Sequence, residues 1–83
     1  MELTIHPHAR ERMNERGVSE TEVNQTLTDG ERFPAKQGRT GFRRNFRFDS
    51  RWRDRNYAIK QVEVYAVYEA PKWTVITVLA RYF

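Results

Sequence analysis

The sequence has no cysteine, so a disulfide framework, a thiolate zinc site and a cysteine nucleophile are all excluded. It has only two histidines, His6 and His8, which could hold a metal only with carboxylates such as Glu11 or Glu63 drawn from elsewhere. No other feature supports such a site, and neither a metal nor a cofactor is expected. Long apolar runs are missing too. The longest, Val75 to Ala80, is six residues with a threonine inside it, against the roughly 20 needed to span a bilayer. Residue 2 is already charged and no apolar leader follows, which gives the expectation of a soluble cytoplasmic protein. Apolar residues make up 39%, below the usual level of about 45–50%. At 83 residues there is room for one small domain, covering 1–83, with no linker, repeat or low-complexity stretch. A chain this short buries only about 60% of its unfolded surface, so its core is thin.

What is present in excess is arginine, and it is concentrated. The net charge is +4, from 15 Lys and Arg against 11 Asp and Glu. Between Arg39 and Arg55 there are seven arginines and two acids, a net +5, leaving −1 for the rest of the chain. Phe42, Phe46, Phe48 and Trp52 are interleaved with these arginines. A basic stripe with aromatics beside it suits a polyanion whose bases can stack, meaning nucleic acid. The plainer alternative is a solvated arginine-rich hairpin that keeps a small sheet soluble.

The first third reads as two helices around a tight corner. Pro7 suits the first helical position, Ala9 and Met13 share an inward stripe, and Gly17 supplies a left-handed stop. Ser19 opens the second helix with Glu22 completing a capping box and Val18 and Val23 forming a hydrophobic staple; Gly30 closes it. The period then changes to two. Glu31 to Lys36 reads as a short edge strand containing Pro34, Gly38 to Gly41 as a turn, and Phe42 to Phe48 as an alternating strand. Tyr57 to Tyr68 is a long strand whose apolar parity switches across Lys60 and Gln61, which predicts a bulge there. Glu69 to Lys72 is a turn, and Trp73 to Phe83 is apolar on both parities, as a central strand covered on both faces would be. The expected fold is α+β, in the order α-α-β-β-β-β, with two helices on one face of a four-stranded antiparallel sheet.

The helical segment His8-Ala9-Arg10-Glu11-Arg12-Met13-Asn14-Glu15-Arg16-Gly17-Val18 resembles the opening of the domain of unknown function 4258 family. That opening runs His-Ala, then Arg-Met, then Glu-Arg-Gly and an aliphatic residue. Lys60-Gln61-Val62-Glu63-Val64-Tyr65-Ala66 and Val75-Ile76-Thr77-Val78-Leu79 look like the paired late strands of the same family. The resemblance covers nearly the whole chain, with the arginine-rich middle matching least. Such a domain looks like a barnase/RelE-type small nuclease, many of which are toxins of toxin–antitoxin pairs. The resemblance therefore implies RNA cleavage and an antitoxin or other inhibitory protein as partner.

Metal-independent RNA cleavage needs a base for the 2′-hydroxyl, an acid for the leaving 5′-oxygen and cations for the charge between them. His8, Arg12 and Arg16 recur at four-residue intervals and form one stripe on the first helix, an imidazole backed by two phosphate-gripping guanidiniums. Alternatively, those arginines pair with Glu11, Glu15 or Glu20, and His8 only caps the helix; His6 reads as a cap or a solvent-facing residue. The sheet offers a second set. A simple hairpin at Glu69 to Lys72 puts Val64 opposite Thr77, Lys60 opposite Arg81 and Glu63 opposite Val78. Val62, Val64, Ala66, Val75 and Leu79 then face the helices, and Gln61, Glu63, Tyr65 and Thr74 the open side, with Tyr82 along the last strand. Glu63 is a candidate base and Tyr82 a candidate acid, unless Glu63 and Gln61 merely solvate an exposed face. Arg43, Arg47, Arg51, Arg53 and Lys60 are candidate RNA-backbone contacts together with Arg16. Trp52 is a candidate stacking residue, or is covered by its neighbouring guanidiniums with no ligand present.

Three functions compete: a small endoribonuclease, a nucleic-acid-binding module without catalysis, and a protein-interaction modulator on an inactive nuclease fold. The nuclease is the reading adopted from the sequence, acting on RNA as a monomer or weak homodimer.

Overall fold

The helix signals act locally and are satisfied locally. In the computed structural model, which describes residues 2–83, helix α1 spans Pro7–Arg16 and helix α2 spans Glu20–Asp29. His6 is the N-cap of α1, its Nδ1 accepting from the His8 amide at 3.1 Å, with Pro7 in the first turn. Gly17 ends the helix at φ 70°, and the Val18 amide reaches back to the Met13 carbonyl at 2.9 Å. Around α2 the Glu22 amide donates to Ser19 Oγ at 3.1 Å and the Ser19 amide to Glu22 Oε1 at 2.9 Å, the reciprocal capping box. Both staple residues, Val18 and Val23, are buried.

Five strands form one sheet: β1 (Leu3–Ile5), β2 (Glu31–Pro34), β3 (Thr40–Trp52), β4 (Arg55–Glu69) and β5 (Lys72–Tyr82), in spatial order β1-β5-β4-β3-β2. The fold is α+β, as expected, but the sheet is mixed and five-stranded rather than antiparallel and four-stranded. The added strand is β1, which runs parallel to β5 with Ile5 opposite Val75. The chain reaches that edge before either helix begins. The helices then cover one face and leave the other open.

The covered face carries the core. Phe42, Val62, Val64, Ala66, Val75 and Val78 lie beneath Ala9, Met13, Val23 and Leu27. Trp73 packs edge-on against Phe42, with ring centroids 5.1 Å apart.

The β4–β5 register departs from the sequence expectation in one step. Next to the turn, Ala66 faces Val75 and Val67 faces Thr74, as a simple hairpin requires. Between Tyr65 and Ala66 the register shifts, because Ile76 is an extra residue on β5. Beyond it Val64 faces Val78, Glu63 faces Leu79 and Lys60 faces Tyr82. Every later β5 side chain is thereby moved to the opposite face from the one expected. Val78 takes the core place expected for Leu79, and Tyr82 points to the helix side instead of the open side. No shift occurs at Lys60 and Gln61, where the apolar parity switches. Lys60 keeps the inward parity and is buried at 4% exposure. The other irregularity lies between Arg47 and Ser50 on β3.

A candidate RNA-binding face on the open sheet

Cross-strand register arranges the open face in rows. One row runs Phe33, Gly41, Tyr65 and Thr77; the next runs Glu31, Arg43, Glu63 and Leu79; a third holds Asn45, Gln61 and Arg81. Arg43 thus stands between two carboxylates. Its Nε lies 3.6 Å from Glu63 Oε2, and its terminal nitrogen 3.7 Å from Glu31 Oε1. Its guanidinium also lies over the Phe33 ring at 4.6 Å. Neither carboxylate comes within hydrogen-bond distance, and the buried Nε has no partner.

Two residues along β4 from Glu63, on the same face, the Tyr65 hydroxyl donates to Glu63 Oε1. That hydrogen bond, seconded by partial desolvation and the nearby carboxylate charge, raises the Tyr65 pKa above its ordinary value, with Arg43 opposing. The phenol is therefore a held proton donor, and Glu63 is the acceptor between it and a guanidinium. Beside this cluster a hollow of about 490 Å³ opens under the β2–β3 loop, lined by Phe33, Lys36, Arg39, Tyr65 and Thr77 among others.

The sequence candidates divide between two places. Glu63 and Arg43 meet on the open face, with Arg47 four residues further along β3 on the same side; Tyr82, paired with Glu63 in the sequence reading as acid to base, lies across the sheet. There its hydroxyl donates to the Arg16 carbonyl at 2.6 Å, and burial, seconded by the Glu22 charge, raises its pKa while Arg53 opposes. Lys60 is on that covered side too. Its ammonium donates to the Gly17 carbonyl and to Glu22 Oε1 at 2.7 Å, so it ties the helix corner to the sheet rather than facing solvent. Arg16 donates to the Val78 carbonyl at 2.8 Å, satisfying a backbone group of β5.

Trp52 stacks on Tyr82, with centroids 4.9 Å apart and planes at 11°, and Arg53 lies over the indole at 5.3 Å. A Cβ on Gly17 would run into the indole, so that glycine serves both its positive φ and this close approach. The β3–β4 hairpin is in effect a strap across the helix corner, pinned by Arg53 donating to the Glu15 carbonyl at 3.3 Å. Its outer surface has a second hollow of about 440 Å³ between Trp52, Arg53, Arg55 and Tyr57. Arg51 on the same hairpin donates to the Arg53 carbonyl at 3.3 Å, and Arg47 pairs with Asp49 at 3.1 Å.

On α1 the stripe is already partnered. Arg12 pairs with Glu15 at 3.0 Å and Arg10 with Glu20 at 3.2 Å, while His8 is exposed. His8 and Arg12 lie on the helix layer and Glu63 on the far side of the sheet. Among the described residues no three His, Asp or Glu side chains gather as metal ligands, and no helix is long and apolar enough to cross a membrane.

A family model described as a domain of unknown function, DUF4258, matches residues 5–80. The chain belongs to the DUF4258 family. No curated protein and no solved structure matches it. The match takes in both helices, the strap and the whole Arg43–Glu63–Tyr65 cluster of this DUF4258 domain. Sequence reasoning placed Tyr65 on the open face without a role, and missed Phe33, Lys36 and Arg39. Tyr65 was readable, because residues two apart on a strand share a face. The other three depend on where a loop folds.

Proposed function

We propose that this DUF4258 domain is a metal-independent endoribonuclease whose centre is Glu63, Tyr65 and Arg43 on the open sheet face. The observation that carries the reading is the juxtaposition itself: a carboxylate, a protonated phenol and a partly exposed guanidinium, on an uncovered face. In this reading Glu63 takes the proton of the ribose 2′-hydroxyl as that oxygen attacks the adjacent phosphorus. Arg43, whose side chain is partly exposed, neutralises charge on the phosphoryl oxygens. As the P–O5′ bond breaks, the Tyr65 hydroxyl gives its proton to the departing 5′-oxygen. The proton gained by Glu63 then returns to Tyr65, leaving a 2′,3′-cyclic phosphate and a free 5′-hydroxyl. Arg47 and Arg81 extend the cationic surface for the rest of the strand.

The helical motif and late strands resemble the DUF4258 family, and the likeness of such a domain to barnase/RelE-type nucleases is what suggests the same class, with a restraining protein as partner. The exposed Arg47, Arg51 and Arg55 favour a second reading, in which the chain binds single-stranded nucleic acid without cutting it. End-labelled RNA incubated with the protein in EDTA separates the two. Cyclic-phosphate products that disappear in Glu63→Gln and persist in His8→Ala support the proposal. Loss in His8→Ala with retention in Glu63→Gln moves the centre to α1. Salt-sensitive retention of uncut RNA leaves the binding module.

A further inference from the structure

The hollow beside Tyr65 has features that cleavage chemistry alone does not require. Its volume, about 490 Å³, lies in the range of small-molecule sites. Two cations line it, Lys36 and Arg39, and neither has an acidic partner among the described residues, unlike Arg10, Arg12, Arg43, Arg47 and Lys60. The loop carrying them is closed on itself: the Ala35 amide donates to the Arg39 carbonyl and the Arg39 amide to the Lys36 carbonyl, each at 3.2 Å. Gln37 and Gly38, at φ 59° and 71°, make the reversal. The two cations are thus carried by a defined turn.

The aromatic side of the hollow is equally fixed. Phe33 meets Tyr65 edge-on, with centroids 6.0 Å apart and planes at 88°. It fits there because Gly41, its cross-strand partner, has no side chain; a Cβ would collide with the ring. Thr77 and the Tyr65 hydroxyl supply polar edges. A ligand matching this lining has a flat ring and an anionic group, and it ends one row of the sheet from Glu63.

We propose that this hollow seats one ribonucleotide of the RNA, its base against Phe33 and Tyr65 and its phosphate between Lys36 and Arg39. The inference rests on the nuclease reading for its position in the substrate, but the binding step is separable from cleavage. Seated there, the nucleotide fixes which neighbouring phosphate lies at Glu63, and the hollow becomes the place where base preference is set.

The test titrates the full chain with the four nucleoside 3′-monophosphates, with inorganic phosphate and with the bare nucleosides, following heat by calorimetry. The nucleotides are expected to bind more tightly than either fragment. The double variant Lys36→Ala/Arg39→Ala should weaken them by about tenfold or more. Phe33→Leu should weaken them by about fivefold or more, through loss of stacking. Arg10→Ala, on the far side of the sheet, should change nothing, and circular dichroism confirms that each variant is folded. Nucleotide binding indifferent to both Lys36→Ala/Arg39→Ala and Phe33→Leu overturns the proposal, as does no binding by a wild type that still cleaves RNA. A wild type that binds nucleotides through Lys36 and Arg39 but never cleaves RNA upholds the hollow and overturns the nuclease.

Discussion

The two faces of this sheet each hold a cation at mid-strand, and they treat it differently. On the covered face Lys60 has an acceptor on every side that matters, the Gly17 carbonyl and the Glu22 carboxylate, and aromatic rings of Phe48 and Tyr82 within 6 Å. On the open face Arg43 stands between two carboxylates, touches an aromatic ring and still leaves Nε unpaired. A buried charge survives only when its partners are complete, because desolvation otherwise outweighs attraction. The Arg43 side chain is still 38% exposed, so solvent shares its charge even though the unpaired Nε itself is shut away from water. Complete partnering marks the cation that holds the fold together; on the open face the partnering is partial and the side chain stays within reach of solvent.

That contrast can be broken most decisively through activity. Glu63→Gln should lower RNA turnover by about 10²–10⁴-fold, the usual worth of one acid–base group. Its midpoint of urea unfolding should move little, since Glu63 packs nothing in the core. Lys60→Ala should do the reverse, costing about 3–5 kcal/mol in urea unfolding by leaving Glu22 and the Gly17 carbonyl without their partner. If the two substitutions had similar effects on stability, the division between the faces would fail.

Smaller effects sharpen it. Gly17→Ala places a side chain at positive φ and against the Trp52 ring, and should cost about 1–3 kcal/mol by thermal or urea unfolding. Titration distinguishes the faces by one residue each. Both Tyr65 and Tyr82 have folded-state pKa values above the ordinary value near 10, so folding favours their protonated forms. Their stabilising contribution is whole below about pH 10 and is lost as the pH rises through the folded-state values. Urea unfolding measured from pH 8 upward should show this decline, and Tyr82→Phe should flatten it. Least of all, Arg51→Ala should change stability by less than about 0.5 kcal/mol. In filter binding it should reduce the salt slope of RNA retention by about 1.

The helices were legible because every determinant lies within a few residues: Pro7, Gly17, Ser19 with Glu22, Val18 with Val23. The sheet was legible in outline, since alternation in residues 42–48 and 57–68 needs only a period of two. What escaped depends on distant pairing. β1 is three residues long, too short for any period, and its parallel partner is about seventy positions away. The Arg53–Asp54 turn between β3 and β4 puts a positive φ on an arginine, where glycine is the usual sign. In β5, apolar on both parities, nothing in the pattern betrays Ile76 as supernumerary. The candidate site suffered from that single residue, which separated Tyr82 from Glu63. Glu63 was assigned to the correct face because the shift turns over β5 and leaves the alternation of β4 intact.

Ile76 also makes the parity of β5 depend on one residue standing out of the ladder. Drawn into regular pairing, with Ile76 opposite Tyr65, the strand would turn Arg81 inward beside Lys60, put Leu79 in the place of Val78 under the helices and take Tyr82 away from the helix corner. The strand would still be apolar enough to pair with β4 and would present no obvious defect in composition. The error would surface instead as two like charges forced into one interior. Deleting Ile76 has the opposite consequence: Thr77 would follow Val75 directly, and every pairing from Thr77–Tyr65 to Tyr82–Lys60 would be kept. A slipped strand is therefore expected to be rejected by its electrostatics long before its hydrophobicity, and a chain shortened by that one codon is expected to keep its faces.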